Sequence, residues 1–351
     1  MSMLTLPGLI DPHVHLRDPG QTEKEDFHTG TTAALAGGYT TIFDMPNNKV
    51  AITTADLLNK KIVLAKDKIV CDVGFYFGSQ GDNLEEFEKA KKQTFGLKLY
   101  LNETTGNLLV NPKKLMEVFK AWGKLILVHA EEQMVETVLQ AVRQTKVPTH
   151  FCHVSQATEL TMIIKAKEEG LPITCGVTPH HLFLTENDAR LLGPFGEMKP
   201  PLASKSDGAF LWKNLRAIDV VESDHAPHTK EEKSIDNPPG VPGLETTLPL
   251  LLTAVSSDRL TIDDIRRLCF EGPAKILSFD VSSHQSIVEI DMDQSYTIDN
   301  RHLFTKSGWS PFNNWDVKGK VLRVFLRGTK VFEDGKILVQ PGFGHVLIPV
   351  G

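Results

Sequence analysis

Apolar residues along the chain gather in short runs, and segments of helical composition separate them. Eight runs read as strands: GLIDPHVHL (8–16), YTTIFDMP (39–46), IVCDVGFYFG (69–78), GLKLYL (96–101), KLILVHA (124–130), PTHFCHV (148–154), LPITCGVTP (171–179) and AIDVVESDHA (217–226). Their nearly unbroken apolar character suits parallel strands buried on both faces. Between them KEDFHTGTTAALAGG (24–38), TADLLNKKIVLAKDK (54–68), EEQMVETVLQAVRQT (131–145) and SQATELTMIIKAKEEG (155–170) read as helices. Ser155 with Glu159 marks the start of the last of these, and Gly170 marks its stop.

Eight strand–helix units within about 220 residues predict an α/β fold, a (β/α)8 TIM barrel over residues 1–283, with a doubly wound open sheet as the competitor. After residue 284 the pattern changes. VLRVFLRGTKVFEDGKILVQPG alternates and carries an Asp-Gly turn, which predicts a small appended C-terminal β segment over 284–351. The chain opens almost directly on the first barrel run, leaving little room for an N-terminal β segment.

Composition narrows the class of function. The 351 residues are 41% hydrophobic and 23% charged, as in ordinary globular proteins. A net charge of −6 argues against nucleic-acid binding, which needs a basic face. No stretch is apolar and long enough to span a membrane, and no signal pattern opens the chain. Cys71, Cys152, Cys175 and Cys269 are scattered without a C-x-x-C pair, which suits a reduced interior. The expectation is a cytoplasmic protein acting on a small molecule.

The histidines carry the chemistry. Of thirteen, eight fall at or just past the C-terminal end of a strand run: His13, His15, His129, His153, His180, His181, His225 and His228. Barrel active sites form at that face. His13 and His15, two apart on a strand, aim the same way. With Asp11 before them and Arg17 after, they predict a metal beside an anion-binding cation. His129 and His153 each end an apolar strand, and singly either reads equally as a hydrogen-bonded core histidine. Asp224 ends the eighth run, where a carboxylate can ligate metal and handle protons. Lys98 inside GLKLYL is costly unless paired, neutralised or converted by carbon dioxide to a carbamate. Cys152, on a regular strand, points away from His153 and reads as structural. His180, His181 and His225 read equally as ligands or as hydrogen-bonding supports.

The stretches DPHVHLRDPG, FDMPN, GLKLYLNET, VHAEEQ, CHVS, TPHHL, SDHAPH and PPGVPGLET together resemble dihydroorotases of the amidohydrolase superfamily. The likeness runs over nearly the whole chain and includes the dihydroorotase domain of the animal multifunctional pyrimidine-synthesis protein. It implies zinc-dependent, reversible cyclisation of N-carbamoyl-L-aspartate to L-dihydroorotate. Carried over, His13, His15 and Asp224 hold one zinc, His129 and His153 a second, and carboxylated Lys98 bridges the two. Arg17, Asn47 and His228 bind the substrate carboxylate, with Lys199 facing the pocket and backbone near Pro239 touching the ring. Asp224 shuttles the proton between the attacking water and the ring nitrogen.

Three positions depart from the animal pattern. Gly176 replaces a glutamate associated with an additional zinc, which puts a third metal at Cys152 in doubt. Lys199 replaces an arginine, and Thr105 a bulky aromatic in the loop over the substrate. Rival readings are a related cyclic amidase (allantoinase or dihydropyrimidinase) and an inactive scaffold homologue. The expected partners are a second copy in a homodimer and an aspartate transcarbamoylase.

Overall fold

A computed structural model describes residues 3–104, 106–279 and 285–349. The first strand is one the apolar runs do not mark, β1 (Met3–Pro7), and nine parallel segments follow it. They are β2 (Leu9–Val14), β3 (Tyr39–Asp44), β4 (Asp72–Phe75), β5 (Phe77–Gly78), β6 (Leu97–Tyr100), β7 (Ile126–His129), β8 (Thr149–Phe151), β9 (Ile173–Val177) and β10 (Val220–Val221). Their neighbours run β2-β3-β4 and β5-β6-β7-β8-β9-β10. β4 and β5 form one staggered stave through Tyr76, whose amide donates to Asp44 O at 3.1 Å, while the Phe77 amide donates to Gly96 O at 3.1 Å. A parallel bridge between Val14 and His225, with the His15 amide donating to His225 O at 2.8 Å, closes the ring. The eight predicted runs are the eight staves of a (β/α)8 barrel.

The period-2 alternation of strands sorts the side chains. On β6, Leu97 and Leu99 join the outer core, whereas Lys98 reaches Cys152 and Tyr100 lines the central cleft. On β7, Ile126 and Val128 go outward, Leu127 joins an inner apolar floor with Ile10, Phe43 and Tyr76, and His129 lines the cleft. The floor excludes water from below, so the polar groups of the strands converge only at the upper rim.

Helices Phe27–Ala36, Ala55–Lys66, Gln133–Thr145 and Ala157–Glu168 lie within the four helical segments read from sequence. The last is capped by Gln156 with Glu159 in a reciprocal box, one residue later than the predicted Ser155, whose own amide also donates to Glu159 at 3.2 Å. Gly170 follows it with φ +76.

The appended sheet has the order β1-β11-β12-β13-β14, from β11 (Ile287–Thr297), β12 (Asp316–Leu326), β13 (Thr329–Glu333) and β14 (Lys336–Ile337). Its Asp334–Gly335 hairpin takes the two positive φ angles that this turn chemistry serves. The expectation of little room for an N-terminal β segment is corrected here. Met3–Pro7 pairs antiparallel with Ile287–Asp291, so the sheet draws on both ends of the described chain. The sequence-level boundary at 283/284 and the Thr105 departure lie outside the described residues. No helix of the described residues is long and apolar enough to cross a membrane.

Candidate active site

The upper rim gathers His13, His15, Asn47, His129, His153, Lys199, Asp224 and Pro239 around one narrow cleft. Tyr100 and Thr104 also line it, and both continue into a wider opening with Gln80, Asn102 and Leu108. The residue pattern of the sequence singles out neither Tyr100 nor Thr104.

Asp224 is the hub. Its Oδ1 lies 3.3 Å from His13 Nε2 and 3.1 Å from His15 Nε2. Donor atoms of His13, His153 and Asp224 all lie within 4.8 Å of one another, a group that could hold a metal ion. His129 Nδ1 sits 3.1 Å from His153 Nε2, and its own Nε2 meets Glu131 at 2.7 Å. Asn47 Oδ1 accepts from His15 Nδ1 at 2.6 Å, which leaves Nε2 of that ring turned to Asp224.

Three of these residues stand on left-handed backbone: Arg17 (φ 62), His153 (φ 39) and Asp224 (φ 44). Such conformations cost about 1–3 kcal/mol each and persist where surrounding structure imposes them, typically at active sites. At His153 the effect is visible. β8 ends at Phe151, and the turn that follows brings His153 inward beside Cys152. The expectation that Cys152 points away from the site is therefore corrected: its Sγ lies 3.2 Å from Lys98 Nζ.

Lys98 is fully buried, with the Cys152 thiol and the Tyr100 ring at 5.0 Å as its close company and no carboxylate partner among the described residues. Arg17 lies beside the metal-competent group, also buried. Its Nε donates to Pro227 O at 3.0 Å, and a terminal nitrogen lies 3.0 Å from His228 Nε2. His228 in turn meets Glu232 at 2.9 Å, Pro239 O at 3.1 Å and Lys24 at 3.4 Å. Burial, then Arg17 and Lys24, push His228 far below the ordinary imidazole range, so the ring stays neutral beside Arg17, while Glu232 pairs with Lys24 at 2.5 Å.

The rim's electrostatics set its carboxylates against the burial of its imidazoles, which lowers His129 and His153. Burial alone would raise the Asp224 carboxyl, yet His13 and His15 pull it well below the usual range. His13 rises to about 10: burial and the Lys98 ammonium oppose its charge, and Asp224, Cys152 and Glu222 outweigh them. Burial lowers His15 to about 3 despite Asp224.

Asp11, the acid that precedes the H-x-H pair, holds backbone rather than the imidazole rings. It accepts the backbone amides of His13 (3.0 Å) and Ser223 (3.2 Å), stapling β2 to the segment after β10. The carboxylate that meets His13 is Glu222, at 3.2 Å from Nδ1. Its signal was present as the i−2 neighbour of Asp224 in VVESDHA. Of the unassigned histidines, His181 bonds Thr178 and Pro200 O, and His225 meets Glu25 at 3.3 Å. These two are supports.

The amidohydrolase family pattern matches residues 4–331. The chain is 47% identical over 98% of its length to the multifunctional protein CAD of Squalus acanthias, of which it spans only 16%. It is 38% identical over 96% of its length to the dihydroorotase of Pyrococcus horikoshii, of which it spans 83%. The L-hydantoinase (dihydropyrimidinase) of Arthrobacter aurescens superposes with a TM-score of 0.94 at 27% identity, covering 99% of this chain and 89% of that one. The chain belongs to the amidohydrolase family, within the branch that holds the dihydroorotases.

Proposed function

We propose that this chain is a dihydroorotase, catalysing the reversible, zinc-dependent cyclisation of N-carbamoyl-L-aspartate to L-dihydroorotate in pyrimidine biosynthesis. One observation carries the reading: a buried arginine held by His228 and Pro227 stands beside the imidazole–carboxylate cluster. Both partners of that reaction carry a carboxylate that Arg17 suits, whereas dihydropyrimidinase substrates lack one. The likeness to the Pyrococcus enzyme supports the same choice.

The residues fit two zinc ions. His13, His15 and Asp224 would hold one and His129 and His153 the other, with the donor set of imidazole and carboxylate that zinc takes. His153 Nδ1 and His180 Nε2 are buried polar atoms without a hydrogen-bond partner, as at a site that is completed by a bound group. Lys98, as an ammonium, would repel cations. Addition of its neutral amine to carbon dioxide, with loss of a proton, would give a carbamate, an anionic ligand in place of the cation. Bound by these residues, zinc would supply Lewis acidity toward the ring amide carbonyl and a water whose pKa falls from about 15.7 toward about 7. A third zinc is not part of this reading.

In ring opening Asp224 takes the proton of the attacking water and delivers it to the departing ring nitrogen. Cyclisation runs the same proton backwards. Arg17 holds the substrate carboxylate, supported by His228. Asn47, through its bond to His15, fixes that ring's tautomer and lines the cleft where the substrate carboxylate would bind. Lys199 adds a point charge at the pocket wall, and Pro239 backbone borders the ring. The same reading extends to a homodimer in the cytoplasm and to association with an aspartate transcarbamoylase, and the match to one stretch of a multifunctional protein supports the association alone. Light scattering at twice the chain mass tests the dimer.

The direct test is turnover of N-carbamoyl-L-aspartate and L-dihydroorotate beside allantoin and dihydrouracil, with chelator and with zinc restored. Chelator-sensitive turnover of the first pair alone is expected. Turnover of allantoin or dihydrouracil instead would move the chain to another cyclic amidase, and silence in zinc-replete protein would favour a scaffold.

A further inference from the structure

Glu222 is fully buried at the barrel centre, and nothing in the reaction above uses it. Its Oε2 meets His13 Nδ1 at 3.2 Å, its Oε1 accepts the His153 amide, and His150 Nε2 lies 3.7 Å away. A carboxylate can only accept, so His13 Nδ1 carries the proton toward it. That leaves the other nitrogen, Nε2, turned to Asp224 at 3.3 Å.

The space around this carboxylate is equally specific. A Cβ built on Gly176 would lie 2.5 Å from Glu222 Oε1, 2.7 Å from its Cδ and 2.9 Å from Val220 Cγ2. Gly176 on β9 pairs with Val220 on β10, and Glu222 follows two residues later with its amide donating to Val177 O at 3.0 Å. The carboxylate from one stave therefore occupies the side-chain volume of its neighbour.

We propose that Glu222 is a positioning residue that fixes the tautomer and tilt of His13, and that residue 176 must be glycine because the Glu222 carboxylate fills its side-chain space. Carboxylate partners of metal-binding histidines raise ligand basicity and lock ring orientation, and their loss typically weakens metal binding or activity about 10- to 100-fold. The inference rests on the reading of His13 as a zinc ligand. Its test is read without substrate, so a wrong choice of substrate would leave it standing.

The experiment compares zinc-loaded full-length chain with Glu222→Ala, Glu222→Gln, Gly176→Ala and the double variant Gly176→Glu/Glu222→Ala. Zinc per chain, zinc release to a competing chelator, kcat and the thermal melt are measured on each. Glu222→Ala and Gly176→Ala should each release zinc about 10- to 100-fold more readily, with the near-isosteric Glu222→Gln in between and folded. The double variant returns a carboxylate to the same space from the adjacent stave, and should recover most of the loss in both zinc retention and kcat.

Parent-like zinc retention in folded Glu222→Ala would overturn the positioning role. A folded double variant no better than Glu222→Ala would overturn the coupling to residue 176. Cys152 Sγ, His13 and Glu222 also offer three donors within 4.8 Å. If the parent holds a third zinc that Glu222→Ala alone removes, leaving two bound as tightly as before, Glu222 is a ligand and the proposal fails.

Discussion

Two of the regions in which the chain buries carboxylates treat them oppositely. At the junction with the appended sheet, Glu245 accepts the amides of Phe304 (2.8 Å) and Thr305 (3.0 Å). Glu25 takes the Thr305 hydroxyl, the Lys306 amide at 3.2 Å and His225, while Asp72 takes Arg327 and the His345 amide at 2.8 Å. These acceptors are filled by backbone and side-chain donors of the segments they fasten. At the rim, Asp224 faces two imidazoles that other residues already hold from behind, Glu222 for His13 and Asn47 for His15. A carboxylate with its donors spent is a fastener. One whose partners are held from the far side is free to share a cation and a proton.

The sharpest break of that contrast is Asp224→Asn, which keeps the shape and removes the base. Its kcat should fall about 10²- to 10⁴-fold, the usual contribution of a positioned acid–base group, in a steady-state dihydroorotate assay. Fold should persist, because Asp224 fastens nothing. Arg17→Met should raise KM and lower kcat/KM about 10- to 100-fold, corresponding to loss of charged hydrogen bonds worth about 1.5–3 kcal/mol. A parent-like KM for this variant would move the carboxylate site elsewhere.

The junction answers to stability instead. Burial raises the Glu245 carboxyl to about 8 from 4.5. Between those values the folded chain binds more protons than the unfolded one, so its contribution to stability falls as pH rises, by at most about 1.4 kcal/mol per pH unit. Glu245→Gln should lower stability overall, since one amide loses its acceptor, and flatten that slope. Thermal melts at pH 6 and pH 8 test it: an equal loss of Tm in parent and variant would place the titration in another group. The smallest effect belongs to Arg327→Met, which takes a partly exposed guanidinium from Phe343 O at 2.8 Å and from buried Asp72, whose carboxylate keeps the His345 amide. About 1 kcal/mol of stability should go with kcat unchanged, by denaturant melts and assay together.

The sequence by itself determined the eight strand–helix units, and the Val14–His225 bridge decided their closure into a barrel rather than an open sheet. Each stave is a run apolar on both faces, and that pattern has few other solutions, so the eight strands were legible to within a few residues. It also fixed which residues crowd the rim, because histidines at strand ends and an H-x-H repeat follow from period-2 geometry alone. Three further things only the tertiary structure decided. Met3–Pro7 is too short and too ordinary to announce a strand, and its partner lies at Ile287–Asp291, far along the chain. Cys152 keeps the inward face that His150 occupies two residues earlier, and His153 joins it there only because it adopts φ 39, a departure from regular strand that its residue type does not signal. Glu222 reads as one more acid beside Asp224 until β9 and β10 pair and set it in the space left by Gly176. In each case the deciding contact joins residues distant in sequence or depends on a strained dihedral, and neither leaves a periodic trace.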